Sequence, residues 1–345
     1  MFELVVTLCL MAEPDICRTQ LVPGLDTDSR AECEAHLRNE EIPAAVTIAA
    51  GLTAGEKHCR EMAAGLELTE IAGNVFVHLG RIEEPGPGNS GDVSNIGVIV
   101  GQDSIAVIDS GGSRAVGEAL YRAIRQRSPL PISHVILTHV HPDHIFGASV
   151  FAEAGAMVVG HPGLRRALLD REENYLTGFE DLVGKPAFLG TRPVRPDAAA
   201  EEIDLGGRVL ALTVWPTAHT TTDLTVLDRA TGTLFAGDLV FHRHTPALDG
   251  SLLGWLGVLD RLAELNPARI VPGHGGPVLS VSEALVPMRR YLEVLETDTR
   301  DALEKGERLS EATGHVGRSE AGAWDLFDVY NARNATVAYT ELEWE

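Results

Sequence analysis

The sequence predicts an α/β protein of two sheets flanked by helices, preceded by a small α/β unit that carries all the cysteines. Three observations predict it. Apolar strand patterns alternate with runs of helical spacing along most of the 345 residues. Histidines and aspartates recur at the ends of those strands. Cys9, Cys17, Cys33 and Cys59 all fall early in the chain, away from them. The length exceeds one typical domain, and the reading divides the chain into residues 1–68 and 69–345.

The first unit opens on a strand, Phe2 to Leu10, followed by a loop at Glu13, Pro14 and Asp15. Asp28 and Ser29 are suited to cap a helix from Arg30 to Asn39. Val46 to Ala49 reads as a short strand and Glu56 to Ala64 as a second helix. The larger unit starts with the strand Asn74 to His78 and a Pro/Gly-rich loop, Glu84 to Asp92. Asn95 to Val100 and Ile105 to Asp109 read as a hairpin. Ser113 caps a helix to Gln126. Ser133 to Leu137 is a buried strand, and a ligand loop, a helix and a further strand follow to Val159. Pro162 to Asp181 is largely helical, and Gly184 to Ala199 is a connection. The strand Arg208 to Val214 precedes His219, and a turn at Ala230 to Gly232 leads to Asp238. Leu252 to Leu265 has helical spacing, as do much of Val281 to Lys305 and the C-terminal tail.

Composition narrows the function. Hydrophobic residues make up 44% of the chain, enough for a large core, and 50 acidic side chains oppose 28 basic ones for a net charge of -22. A nucleic-acid surface needs a basic footprint, which is missing. Attraction to an anionic membrane is disfavoured for the same reason. No apolar run has the length of a membrane span. The apolar start lacks a basic n-region, with Glu3 where Lys or Arg is expected, so it reads as a strand and not a signal peptide. The early cysteines favour two disulfides and an oxidising compartment over four buried thiols or a zinc site. Four cysteines allow three pairings, and spacing does not choose among them.

The chemistry concentrates in Thr138-His139-Val140-His141-Pro142-Asp143-His144. On an extended chain, residues two apart project to one side, so His139 and His141 can grip one ion. Asp143 and His144 follow a proline and point elsewhere, towards a second. Three further candidates stand at strand ends: His219, Asp238 after Gly237, and His274 between Gly273 and Gly275. Imidazole with carboxylate suits zinc, and also iron or manganese. Asp109 and Thr138, at strand ends, are candidates to orient the imidazoles. His242 and His244, beside Asp238, are possible substrate contacts or solvated loop residues. Trp255 reads as a core residue, and His78, His134, His161 and His315 read as structural.

The order HxHxDH, His, Gly-Asp, Pro-Gly-His-Gly resembles the metallo-β-lactamase fold superfamily of metallohydrolases, over roughly Ile71 to Glu345. The resemblance implies a four-layer αββα sandwich. It implies one metal site from His139, His141 and His219, another from Asp143, His144 and His274, and Asp238 bridging the two. The implied cofactor is two Zn2+, with Fe or Mn as alternatives. Asp143 would also orient the nucleophile, a metal-bridging hydroxide. This is the hydroxyacylglutathione-hydrolase pattern. The zinc β-lactamases proper lack the bridging Asp, which turns the expectation away from antibiotic hydrolysis.

Gly237 to Phe241, Thr245 to Leu256 and the ending Asn331 to Glu345 resemble the Sox-operon thiol-hydrolase-like branch. The front from Leu8 to Cys17 is similar to its quinoprotein relay system zinc metallohydrolase subgroup. That subgroup implies association with a periplasmic pyrroloquinoline-quinone (PQQ) dehydrogenase system. The expected activity is hydrolysis of a small-molecule thioester, ester or lactone. The expected location is the periplasm, with the cytoplasm as the alternative. The rival readings are a β-lactamase-type amide hydrolase, an iron-dependent sulfur oxygenase, and a non-catalytic accessory protein of the quinoprotein system.

Overall fold

The computed structural model describes residues 1–39, 51–276 and 278–345. The expected strand Val46 to Ala49 lies outside them. In the N-terminal unit, β1 (Phe2–Leu10) pairs antiparallel with β2 (Cys17–Leu21) and with β3 (Leu52–Glu61), and α1 (Arg30–Asn39) packs beside them. Ser29 and Glu32 hydrogen-bond reciprocally at the start of α1, as a capping box does.

The helix expected over Glu56 to Ala64 is instead β3. Its Glu and Lys favour a helix locally. The free edge of β1 overrides that preference, with Glu3 opposite Arg60 and Leu4 opposite Cys59. Disulfides join Cys9 to Cys17, directly opposed in the β1–β2 ladder, and Cys33 to Cys59, which ties α1 to β3.

Buried charge fastens this unit to the rest of the chain. Glu3, fully buried, takes Arg60 at 2.8 Å and Arg122 at 2.6 Å. Glu118 takes Arg18 at 2.5 Å and Arg114 at 3.0 Å, and Arg114 grips both oxygens of Glu153 at 2.8 and 2.7 Å. Such groups tolerate burial only because each is paired and hydrogen-bonded.

Two sheets build the remainder. The first has the order β4 (Thr69–Ala72), β5 (Val75–His78), β6 (Ile96–Val100), β7 (Ile105–Ile108), β8 (Ile132–Leu137) and β9 (Met157–Gly160). The helices α2 (Arg114–Arg125), α3 (Pro142–Ile145), α4 (Ala148–Glu153), α5 (Leu164–Val183) and α6 (Lys185–Phe188) accompany it. The second sheet has the order β10 (Glu202–Asp204), β11 (Val209–Val214), β12 (Leu224–Asp228), β13 (Thr233–Phe235) and β14 (Arg269–Val271). With it run α7 (Leu252–Leu265), α8 (Val281–Glu304), α9 (Leu309–Ala312) and α10 (Phe327–Leu342).

The sheets pack face to face through Val75, Val77, Ile99, Ile108 and Ile136 on one side and Leu210, Leu212, Val226, Phe235 and Val271 on the other. A Cβ on Gly97 would come within 2.3 Å of the Phe235 ring, so glycine permits this close approach. The outer faces are covered by separate apolar clusters, one with α2, α4 and α5, the other with α7, α8 and α10. The result is the expected four-layer αββα sandwich. Among the described residues no helix is long and apolar enough to cross a membrane.

Strand direction positions the chemistry. β7 and β8 are parallel neighbours, and so are β13 and β14. Their C-terminal ends deliver Asp109, the His139–His144 loop, Asp238 and His274 to one edge of the sandwich. The β11–β12 connection adds His219.

Candidate metal centre

All seven expected ligands converge. His139, His141, His219 and Asp238 form one group of donor atoms and Asp143, His144 and His274 another, each lying within 4.8 Å. Asp238 stands between them. Its Oδ2 is 3.7 Å from His139, 3.4 Å from His219 and 3.3 Å from His274, and its Oδ1 is 3.1 Å from His144. Space for this carboxylate depends on Gly273, where a Cβ would fall 2.0 Å from Asp238 Oδ1.

The imidazoles are held from behind. Asp109, at φ 60°, accepts from His144 Nδ1 at 2.8 Å and from the Thr138 hydroxyl at 2.8 Å. With its own proton committed to Asp109, Thr138 Oγ1 accepts from His139 Nδ1 at 3.0 Å. His219 Nδ1 donates to Ala247 O at 2.5 Å, and His274 Nδ1 to Val93 O at 2.9 Å. Each of these four rings therefore presents an unprotonated Nε2 to the centre when neutral. Asp109 and Thr138 thus stand behind the imidazoles as the sequence anticipated. Phe241 stacks on His274 at 5.2 Å, and Trp255, a fully buried core residue, meets His219 edge-on at 5.3 Å.

The donor set fits a divalent cation. His139 Nε2 is buried without a hydrogen-bond partner among the described residues, a costly state for a polar atom that a cation relieves. Burial drives His139 well below its ordinary range and His219 down to about 3, which leaves both neutral. Burial also opposes charge on His144 and His274. The carboxylates around them outweigh it and hold His144 well above its usual range and His274 up to about 9. Without an ion these two imidazoles hold protons against the surrounding carboxylates, and a bound cation would take the place of those protons.

A cavity of about 680 Å³ opens over the centre, lined by His141, Asp143, Asp238 and His274. His244 lines it, with its ring 4.8 Å from that of His274. His242 is not part of the lining; a Cβ on Gly275 would strike its carbonyl. His78, His134, His161 and His315 make local contacts elsewhere, with Asp92, Ser133, Gly163 and Glu307.

Sequence reasoning missed Asp249, Arg171, Tyr175, Tyr330 and Arg333, all on the cavity wall. Asp249 Oδ2 lies 3.2 Å from His141 Nε2 and is gripped by Arg171, which also donates to the Tyr175 hydroxyl at 2.9 Å. Tyr330 and Arg333 share one face of α10. Their only signal was helical spacing, because the partners come from distant segments.

The Metallo-beta-lactamase superfamily profile matches residues 89–274, more than half of the chain and the span holding all seven ligands. The chain belongs to the metallo-beta-lactamase superfamily. Its class is that of the metal-dependent hydrolases. The probable metallo-hydrolase YqjP of Bacillus subtilis (strain 168) is 25% identical over 248 residues, covering 60% of this chain and 74% of the relative. The uncharacterized protein Rv2581c of Mycobacterium tuberculosis (strain ATCC 25618 / H37Rv) is 30% identical over 205 residues, covering 55% and 87%.

Among solved structures, a metallo-beta-lactamase from Pontibacter korlensis superposes with a TM-score of 0.54 at 20% identity, over 66% of this chain and 99% of its own. The sec-alkylsulfatase Pisa1 from Pseudomonas sp. gives 0.60 at 18% identity, over 80% and 50%. These likenesses concern the fold alone.

Proposed function

We propose that the protein is a dinuclear zinc hydrolase of small-molecule thioesters, esters or lactones. The observation that carries this reading is Asp238, whose carboxylate lies between two complete donor groups. His139, His141 and His219 would hold one ion, and Asp143, His144 and His274 the other. Two divalent cations, when bound, supply Lewis acidity and a water nucleophile available near neutral pH.

The chain's own residues do the rest. Asp238 offsets the repulsion between two cations. Asp143, on the cavity wall with Oδ2 3.2 Å from His274 Nε2, can orient the attacking water and accept its proton. Tyr175, Phe179, Phe241 and Tyr330 narrow the cavity and limit solvent around the scissile bond. No serine or cysteine nucleophile is required. A single-iron oxygenase is disfavoured because both donor groups are filled.

The two disulfides support an oxidising compartment, hence the periplasm. Together with the C-terminal and cysteine-region resemblances, they support association with a quinoprotein dehydrogenase system.

Elemental analysis of protein purified without added metal tests the centre, and a thioester panel tests the reaction. The expected load approaches two equivalents, chiefly zinc. Asp238→Ala should lose one equivalent and most turnover, whereas His315→Ala should keep both. A stable single equivalent dominated by iron would overturn the reading.

A further inference from the structure

Helix α10 turns Tyr330, Arg333, Asn334 and Val337 towards the cavity, at helical spacing. Its position relative to the metal centre is fixed. Asn334 accepts from Leu248 N at 2.9 Å and donates to Pro246 O at 2.6 Å. Glu341 accepts from Ser251 Oγ and Leu252 N, each at 2.6 Å. The same loop carries Ala247, which holds His219, and Asp249, which faces His141.

The cavity lining holds two arginines, Arg171 and Arg333. Arg171 is committed to Asp249 and Tyr175. Arg333 forms no ion pair or hydrogen bond with another described residue, although Glu83 and Glu84 also line the cavity. One turn away, the Tyr330 ring packs 4.9 Å from that of His244, and its hydroxyl likewise has no partner among the described residues. A free guanidinium and a free phenol on one helix face make a set of donors suited to a carboxylate. In a chain of net charge -22, an anionic group lying away from the metal centre meets an opposing field unless a local cation receives it. One cation with two acids nearby matches a monoanion better than a phosphate dianion.

We infer that Tyr330 and Arg333 form an anion subsite, and that the substrate carries a carboxylate remote from its scissile bond. Its apolar body would lie against Phe179, Leu182 and Val337. This deepens the hydrolase reading above and rests on it for the word substrate.

Two probe pairs test it on the metal-loaded protein. The first is a thioester with an acyl chain ending in a carboxylate, and its carboxamide counterpart. The second is the matching pair of non-hydrolysable thioethers, followed by calorimetry. Wild type should favour the carboxylate about tenfold in kcat/KM and in affinity. Arg333→Met, an exposed position where folding is spared, should erase both preferences, with the loss falling on the carboxylate probes. Tyr330→Phe should reduce them part-way.

Equal thioether affinities in wild type overturn the subsite. So does a carboxylate preference that survives Arg333→Met, because the metal centre is then its source. If neither thioester turns over while the thioether preference depends on Arg333, the subsite stands and the hydrolase reading falls.

Discussion

Asp109 receives His144 Nδ1 and Thr138 Oγ1 on the same carboxylate oxygen, each at 2.8 Å, from a backbone at φ 60°. One residue behind the cluster thereby sets the ring of His144 directly and that of His139 through Thr138. A left-handed non-glycine backbone is uncommon, and Asp and Asn tolerate it best.

Asp109→Ala should therefore weaken metal binding about 10–100-fold, because the imidazoles lose the group that fixes their tautomer and aim. Asp109→Asn keeps the backbone preference and should fall between Ala and wild type. Competition with a chromophoric chelator measures both. Wild-type affinity in the Ala variant would show that the rings are aimed by packing alone.

Asp249 plays the corresponding part for His141, but from the surface. Its side chain is 41% exposed, and His141 faces it at 3.2 Å. Asp249→Ala should weaken the group formed by His139, His141 and His219 and spare the other. Global stability should change by no more than about 1 kcal/mol, since an exposed pair contributes little. Chelator titration paired with chemical denaturation separates the two effects. Equal weakening of both groups would count against the assignment.

The disulfides differ in burial and in the loop they close. Cys33–Cys59 closes a 26-residue separation with both cysteines buried, whereas Cys9–Cys17 closes 8 residues at a strand end. Removing the first should cost about 2–5 kcal/mol, and removing the second less. Neither donor group contains sulfur, so reduction should leave bound metal in place. Denaturation of the paired Cys→Ser variants and metal analysis after reduction check these outcomes. Metal release on reduction alone would show that the N-terminal unit supports the centre.

Asp223 should give the stability a measurable pH slope. Burial pushes its carboxyl up to about 7, against hydrogen bonds from Thr220 N and Oγ1 that favour the charged form. A pKa raised on folding means the folded state binds the proton more tightly. The stabilisation is complete below the unfolded value near 4 and is lost as pH rises through about 7. In metal-free protein, wild-type stability relative to Asp223→Asn should fall by on the order of a few kcal/mol across that window. Urea denaturation of both proteins from acid to neutral pH measures it. A flat difference would mean that folding leaves the Asp223 carboxyl unshifted.

The sequence by itself determined the elements whose signals are local. Leu252 to Leu265 has helical spacing behind a Ser251 cap, and the apolar run into Thr138-His139 marks a strand that ends in ligands. The seven ligands were legible for the same reason: short fixed spacings at strand ends. The tertiary structure decided what depends on partners far along the chain. Leu52 to Glu61 is a strand because the edge of β1 accepts it, an outcome local propensity opposes. The cysteine pairing followed from that register. Asp249, Tyr330 and Arg333 reach the cavity only because α5, α10 and the loop after β13 fold over it. A helical or loop residue reveals its face in the sequence, but which cavity that face meets is fixed by packing between elements distant in the chain.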